Sequence, residues 1–185
     1  MPLDIYTIPV TRIDGAVGSM ADYRGQVLLV VNVASKCGFT PQYEGLEHLQ
    51  QQFGSRGFNV LGFPANDFAA QEPGSDQDIQ QFCTTNFGAT FPMFSKVQIV
   101  GPDKHPLYAE MTAQQPTSTG GAGKAELQQH LKEFLGGPTN PEPEVLWNFE
   151  KFLLGKTGEV VARFSPDTLP GAPVVSEAIE AELAR

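Results

Sequence analysis

The residues of this chain best suited to nucleophilic or redox chemistry are its two cysteines, Cys37 and Cys83. Cys37 follows an apolar run at residues 27–34 and precedes Thr40 by three positions, where a Thr-Pro pair predicts a helix N-cap. The thiolate is the nucleophilic form of cysteine, and the free amides and positive dipole of a helix N-terminus favour it. Lys36 would add to that effect. Position alone therefore favours a reactive Cys37 over an inert, small apolar residue.

The spacing of the two thiols restricts the kind of chemistry that they support. A Cys-x-x-Cys motif would place the second thiol at position 40, which is Thr. This difference disfavours a thioredoxin, a disulfide isomerase and a thiol transferase. It leaves Cys37 as a single nucleophile, whose partner must lie elsewhere. Cys83 stands four residues after Ile79 on one face of a predicted helix. From that pattern alone, Cys83 is expected to be a buried core thiol.

Composition indicates one globular domain spanning residues 1–185, with 41% hydrophobic and 18% charged residues. A formal net charge of -9 disfavours binding to nucleic acid or to anionic membranes, because both require a basic patch. The histidines, His48, His105 and His130, are scattered, and neither cysteine belongs to a cluster with metal-ligand spacing. A metal-binding or cofactor-binding module is therefore disfavoured, and no cofactor is expected.

The N-terminal residues lack the basic and then apolar regions of a secretory signal. No apolar run approaches the roughly 20 residues that a membrane-spanning helix needs. Two cysteines are too few for a disulfide scaffold. We therefore expect a cytoplasmic location without membrane insertion.

Hydrophobic periodicity predicts alternating strands and helices. The predicted elements are a strand at 27–34, a helix from Thr40 to Gly54, a strand at 59–63, a helix at 76–86, a hairpin of strands 149–154 and 160–164, and a helix at about 174–184. Ser75 and Asp78 resemble a capping box at the start of the second helix. This order is that of an α/β thioredoxin-like fold with a central mixed sheet flanked by helices, although periodicity does not distinguish it from other small α/β folds.

One segment, at about 112–146, is predicted to be an elaboration of the domain rather than a linker. Loop-like stretches rich in Pro and Gly lie at 114–123 and 136–143. Between them, apolar residues recur with helical spacing: Leu127, Leu131, Phe134 and Leu135.

Three blocks of the sequence resemble those of glutathione peroxidases. The run NVASKCGFTPQY at 32–43 is similar to the active-site block of that family. The runs LGFPANDF at 61–68 and QEPGS at 71–75 are similar to its second block, and WNFEKFL at 147–153 is similar to its third. The similarity extends from about residue 5 to the C-terminus. It implies a thioredoxin-like fold and a thiol-dependent peroxidase.

The resemblance implies a catalytic tetrad of Cys37, Gln71, Trp147 and Asn148. The amides and the indole fit by type, because they donate N–H groups without competing as bases. Without the resemblance, the chain's single Trp would be interpreted as a core anchor, and the two amides as surface residues. Hydrogen peroxide and organic hydroperoxides would be reduced to water or alcohol through a Cys37 sulfenic acid. Some family members use selenocysteine, so sulfur at position 37 implies slower oxidation.

The resemblance also implies that Cys83 resolves the sulfenic acid, because non-selenium members recycled by thioredoxin carry a cysteine in this helix. A disulfide requires Cα atoms within about 7 Å. We expect the Cα atoms of the two reduced cysteines to be farther apart than that, so the helix at 76–86 would have to unwind locally before a disulfide could form.

An intramolecular disulfide suits thioredoxin as the reductant. Family members that use glutathione place basic residues around the site, whereas this chain has 12 Lys+Arg against 21 Asp+Glu. Thioredoxin is therefore the expected partner. Recycling by glutathione, and a peroxide sensor that relays oxidation to a partner protein, remain alternatives. The sequence does not decide the preferred hydroperoxide or the oligomeric state, for which a monomer is the working expectation.

Overall fold

The computed structural model describes residues 3–185 of the chain. Its elements follow in the order β1 (Pro9–Thr11), β2 (Val17–Ser19), β3 (Val27–Val33), α1 (Gln42–Phe53), β4 (Phe58–Pro64), α2 (Asp76–Phe87), α3 (Pro106–Gln114), α4 (Gly121–Leu135), β5 (Lys151–Leu154), β6 (Val160–Phe164) and α5 (Pro173–Leu183). The predicted order of the main strands and helices is confirmed. The short hairpin of β1 and β2 and the helix α3 were not predicted, because three-residue strands and a helix capped by His105 give weak signals.

A four-stranded mixed sheet in the order β4-β3-β5-β6 forms the centre of the fold. β3 and β4 are parallel, with Val33 opposite Pro64. β5 is antiparallel to β3, with Val31 opposite Lys151. The carboxyl ends of β3 and β4 and the amino end of β5 therefore lie at the same edge of the sheet. The loops that follow β3 and β4 and the loop that precedes β5 meet there.

The core lies on both faces of this sheet. Every residue of β3 is buried, as expected for a strand covered by helices on two sides. The inner face of α1 consists of the predicted residues Tyr43, Leu46, Leu49 and Phe53. From α5, Val175 and Ile179 are buried. The sheet and its helices therefore form a fixed frame for the loops at the edge.

The prediction that Thr40 caps α1 is wrong. The helix begins at Gln42, and its N-cap, Pro41, makes no side-chain hydrogen bond. The Thr40 hydroxyl instead donates to the Ala34 carbonyl at 2.8 Å and accepts the Cys37 amide at 3.0 Å. The Thr40 hydroxyl therefore closes the loop that carries Cys37 and does not cap the helix.

The other predicted boundaries differ from the structure in local detail. The strand predicted from residue 149 begins at Lys151, because Phe149 has a left-handed backbone with φ of 68°. After Gly54 the chain continues through a 3₁₀ turn, and the left-handed residue is Gly57. The capping box of α2 is confirmed: the Ser75 hydroxyl accepts the Asp78 amide at 3.1 Å, and the Asp78 carboxylate accepts the Ser75 amide at 3.1 Å.

The helix predicted within 112–146 is present as α4, although it begins at Gly121, inside a stretch predicted as loop. Leu127 and Leu131 are buried, whereas Phe134 and Leu135 are 57% and 45% exposed. The last turn of α4 thus leaves two large apolar side chains outside the core. Among residues 3–185, no helix has the length and apolarity to cross a lipid bilayer.

Candidate active site

Cys37 lies in the loop beyond the carboxyl end of β3 and is 9% exposed. The Phe39 amide points at its sulfur, with an N-to-Sγ distance of 3.3 Å. Because α1 begins only at Gln42, this donor belongs to the loop and not to the first turn of the helix. A backbone N–H donor to the sulfur was expected from the helix N-terminus. The donor is present, but the tight loop closed by Thr40 supplies it.

Gln71 reaches the same edge from the loop that follows β4. Its carbonyl accepts the Lys36 amide at 3.0 Å, which ties it to the Cys37 loop. Ala69 and Ala70 before it have φ of 54° and 52°. Left-handed backbone at two consecutive non-glycine residues is strained, and such strain is often found where a side chain is held in a functional position.

Trp147 and Asn148 approach from the loop before β5. The Asn148 side-chain Nδ2 donates to Gln71 Oε1 at 2.9 Å, and Asn148 is fully buried. Because the Gln71 oxygen accepts this bond, its Nε2 is the part of the amide left to donate into the site. Asn148 therefore orients Gln71.

Asn32 fixes the loop that carries Trp147 and was given no role by the sequence interpretation. This fully buried residue of β3 donates from Nδ2 to the Trp147 carbonyl at 3.0 Å. Its backbone carbonyl accepts the Phe149 amide at 2.7 Å. The Phe149 carbonyl in turn accepts Lys151 Nζ at 2.6 Å. The available signal was one amide side chain in an otherwise apolar strand.

A buried ion pair, between Glu150 and Arg163, contacts the loop before β5. Arg163 Nε donates to Glu150 Oε2 at 2.8 Å, and both side chains are at most 1% exposed. Glu150 also accepts the Leu146 amide at 3.3 Å, and Arg163 donates to the carbonyls of Gln115 and Glu144 at 2.9 and 3.1 Å. Burial raises the pKa of Glu150, and the Arg163 charge opposes that rise.

A cavity of about 300 Å³ opens beside the Cys37 sulfur. Its lining consists of Cys37, Gly38, Phe39, Gln71, Leu127, His130, Leu131, Phe134 and Trp147. Cys37, Gln71 and Trp147 thus share one cavity, and Asn148 joins them through its bond to Gln71. The structure brings the four predicted residues together, while their catalytic roles stay a prediction.

Cys83 does not line this cavity. It lies within α2, is 1% exposed, and its thiol donates to the Gln80 carbonyl at 3.4 Å. Burial raises the pKa of the Cys83 thiol, the neighbouring Thr84 opposes the rise, and Glu72 adds to it. Both cysteines are free thiols. Local unwinding of α2 as the route to a disulfide stays a prediction.

Within residues 3–185, no group of three or more His, Cys, Asp or Glu side chains is arranged to hold a metal ion. Of the three histidines, only His130 lines the cavity. The cavity is lined by a thiol, by an amide and an indole side chain that carry N–H groups, and by an apolar wall. That combination suits a small electrophile with oxygen acceptors.

Comparison with known proteins gives a consistent set of relatives. A family model described as glutathione peroxidase matches residues 5–112. The thioredoxin/glutathione peroxidase BtuE of Escherichia coli is 49% identical over 181 residues, covering 98% of each chain. The hydroperoxy fatty acid reductase gpx1 of Synechocystis is 45% identical over 166 residues, covering 90% of this chain and 89% of that protein.

Solved structures agree with the fold. The crystal structure of T. cruzi GPX1 superposes with a TM-score of 0.70 at 30% identity, covering 98% of this chain and 97% of that one. A thioredoxin-family thiol:disulfide interchange protein from Chlorobium tepidum gives a TM-score of 0.57 at 16% identity, covering 99% and 97%. The predicted thioredoxin-like fold is confirmed.

Proposed function

The chain belongs to the glutathione peroxidase family and is a thiol peroxidase that reduces hydroperoxides, and we propose that Cys37 is its nucleophile. The observation that carries this proposal is the cavity shared by Cys37, Gln71 and Trp147. Asn148 acts as the residue that orients Gln71, through the 2.9 Å bond between their side chains.

The proposed first step is attack of the Cys37 thiolate on one oxygen of a hydroperoxide, ROOH. A sulfur–oxygen bond forms as the O–O bond breaks, the sulfur is oxidised to a sulfenic acid, and RO⁻ leaves. The leaving oxygen takes a proton from water and departs as ROH. The N–H groups of Gln71 and Trp147 stabilise the negative charge that develops on that oxygen. The electrons come from sulfur, so this step needs no prosthetic group.

The proposed second step is capture of the sulfenic acid by Cys83. The Cys83 sulfur attacks the Cys37 sulfur, a disulfide forms, the S–O bond breaks, and hydroxide leaves with the proton of Cys83 as water. α2 must open first, because Cys83 is buried and lies outside the cavity. A dithiol then reduces the disulfide and is itself oxidised to a disulfide.

We favour thioredoxin as that dithiol over glutathione. Within the part of the chain that the structure describes, the residues lining the cavity include no Lys or Arg to hold the carboxylates of glutathione. BtuE, a relative at 49% identity, carries both reductants in its name. A reducing cytoplasm would keep both thiols of this chain free between turnovers.

We also propose that residues 1–185 act as a single domain and as a monomer. The single domain is supported by one continuous cluster of buried apolar residues that runs from Ile5 to Ile179 and includes Leu127 and Leu131 of α4. Sedimentation equilibrium of the full chain tests the assembly, and a mass of twice 20.0 kDa would exclude the monomer.

The function is tested by steady-state peroxide reduction with thioredoxin and, separately, with glutathione. Cys37→Ser is expected to fall to the uncatalysed rate with both, because no thiol remains in the cavity. Cys83→Ala is expected to lose turnover with thioredoxin, while its single-turnover oxidation at Cys37 stays within about twofold of wild type. Peptide mapping after one equivalent of peroxide should find a Cys37–Cys83 disulfide in the wild type.

Other outcomes would separate the alternatives. A lasting sulfenic acid or a glutathione adduct at Cys37 in the wild type would contradict the resolving role of Cys83. Undiminished turnover of Cys83→Ala with glutathione would assign glutathione as the reductant. Oxidation of Cys37 without turnover by either reductant would favour a peroxide sensor.

A further inference from the structure

Phe134, in the last turn of α4, is a large aromatic residue whose ring is not used by the core. Its side chain is 57% exposed. Yet the ring lies edge-on to Trp147, with centroids 6.1 Å apart and an interplanar angle of 86°. This contact places it at the mouth of the cavity that contains Cys37 and Gln71. The exposed face of the ring therefore borders the cavity that also contains Cys37, where a substrate can contact it.

The wall of the cavity that α4 forms is apolar. Leu127, Leu131 and Phe134 line it, with His130 between them. Within the described part of the chain, no Lys, Arg, Asp or Glu side chain lines the cavity. Hydrogen peroxide gains nothing from such a wall, because all of its atoms are polar. An alkyl or aryl group attached to the peroxide would gain the free energy of apolar contact.

α4 is anchored firmly enough to serve as a preformed wall. Just before it, Thr119 exchanges backbone hydrogen bonds with β6: its amide donates to the Arg163 carbonyl at 2.8 Å, and its carbonyl accepts the Ser165 amide at 2.9 Å. Lys124 Nζ donates to the Ser118 carbonyl at 2.9 Å. At the other end, Gly136 with φ of 66° ends the helix. The Thr119 bonds tie the segment before α4 to the sheet, and the buried side chains of Leu127 and Leu131 anchor the helix in the core.

We infer that α4 binds the organic group of the hydroperoxide and that Phe134 is the residue that favours alkyl and aryl hydroperoxides over hydrogen peroxide. This inference rests on the proposed function of Cys37. The peroxide group lies between the sulfur and the N–H donors, and its organic substituent packs against Leu131 and the Phe134 ring. Phe134 acts in binding specificity and takes no part in the bond changes at sulfur.

The test compares the second-order rate of Cys37 oxidation by cumene hydroperoxide, tert-butyl hydroperoxide and hydrogen peroxide in the full chain. Phe134→Ala is expected to lower the rate with cumene hydroperoxide by about tenfold, a usual value for lost apolar contact in a pocket. The rate with hydrogen peroxide should fall by less, because hydrogen peroxide has no organic group to contact the ring, so the ratio of the cumene to the hydrogen peroxide rate should fall. Phe134→Leu, which keeps an apolar side chain, should retain most of the rate with cumene hydroperoxide. Peroxide consumption is the readout, because it does not depend on the reductant.

Leu135→Ala is the matched control. Leu135 is the next residue of the same helix, is also exposed, and does not line the cavity. Its replacement should leave the rates with all three substrates unchanged. In Phe134→Ala, an unchanged ratio of the cumene hydroperoxide rate to the hydrogen peroxide rate would overturn the inference, including an equal fall in both rates. A faster rate with cumene hydroperoxide in Phe134→Ala would also overturn it. So would an equal loss of the cumene hydroperoxide rate in Leu135→Ala. Wild type that consumes no peroxide at all would instead refute the proposed function.

Discussion

At the scale of single residues, the site depends on side chains that hold other side chains. The Cys37 sulfur has one backbone donor, the Phe39 amide. The remaining donors, Gln71 and Trp147, are held by Asn148 and Asn32 respectively. Donors fixed before the reaction cost no reorganisation when charge develops, so we expect Asn148 and Asn32 to contribute to the rate although they lie behind the site.

Replacing Asn32 by Leu, which has nearly the same shape, is expected to affect both stability and rate. The buried Trp147 carbonyl would lose its partner, at a cost of about 1–3 kcal/mol in the free energy of unfolding. The Trp147 ring would shift relative to the sulfur, so kcat should fall by about 10- to 100-fold. Urea unfolding and steady-state kinetics measure the two effects.

Asn59→Leu is the control for that substitution. Asn59 lies on β4, and its side chain bonds to Gln50 and Gln26, away from the site. It should lose stability without a comparable loss of kcat. Equal losses of kcat in the two variants would mean that Asn32 acts only through general stability.

At the scale of elements, α2 combines strong local stabilisation with a proposed need to open. Its N-terminus has a complete capping box, and Asp76 accepts the Lys96 amide at 2.9 Å. The aromatic side chains of α2 pack against Tyr43 of α1, and the rings of Tyr43 and Phe87 stack with their centroids 5.3 Å apart. Under the proposed mechanism, release of Cys83 would break some of these contacts, so we expect the stability of α2 to limit the rate of disulfide formation.

Ser75→Ala is therefore expected to accelerate formation of the Cys37–Cys83 disulfide. Loss of an N-cap costs about 1 kcal/mol of helix stability. If opening of α2 precedes capture, that loss raises the disulfide rate by about fivefold while the oxidation of Cys37 is unchanged. Quenched-flow trapping of free thiols after one equivalent of peroxide separates the two steps.

The chain offers a matched control for Ser75. Ser19 and Asp22 form a second capping box, on the short 3₁₀ turn that follows β2. Ser19→Ala removes a similar cap but leaves α2 intact, so its disulfide rate should equal that of wild type. An unchanged rate in Ser75→Ala would mean that opening of α2 does not limit the capture step.

At the scale of the whole molecule, Lys151 joins the sheet to two loops. It is fully buried and donates to the carbonyls of Phe149 and Pro166 at 2.6 and 3.3 Å. Burial lowers the pKa of Lys151 from 10.5 to about 7, although Glu150 and Asp167 attract its charge. The folded protein thus releases this proton more easily than the unfolded chain does.

The free energy of unfolding should therefore rise with pH between the pKa of Lys151 in the folded protein, about 7, and its pKa in the unfolded chain, 10.5. From pH 7 to 10.5 the unfolded chain still binds the Lys151 proton that the folded protein has released, so the free energy of unfolding increases. Lys151 contributes at most about 1.4 kcal/mol per pH unit there, and below that window it adds no pH dependence. Lys151→Met should lack this rise, which urea unfolding of both proteins at several pH values measures. Parallel curves would contradict the assignment.

Much of the architecture follows from local sequence. A nearly continuous apolar run predicted β3, because a strand that is covered on both faces has few polar residues. The helical spacing of apolar residues predicted α1, because burial of one helix face leaves a period in the sequence. The Ser75 and Asp78 pair likewise identified the start of α2. For the site, the position of Cys37 after a buried strand was informative by itself. Gln71, Trp147 and Asn148 were identified only through the resemblance, since an isolated amide or indole carries no local signal.

Only the tertiary structure decided how these pieces meet. Gln71 and Asn148 are 77 positions apart, and their bond exists because the sheet order β4-β3-β5-β6 brings both loops to one edge. The use of the Thr40 hydroxyl within the Cys37 loop, and the place of Phe134 over Trp147, also depend on contacts between distant segments. A periodic pattern encodes which face of an element is buried. Which groups an exposed or polar side chain contacts is decided by the packing of the whole chain.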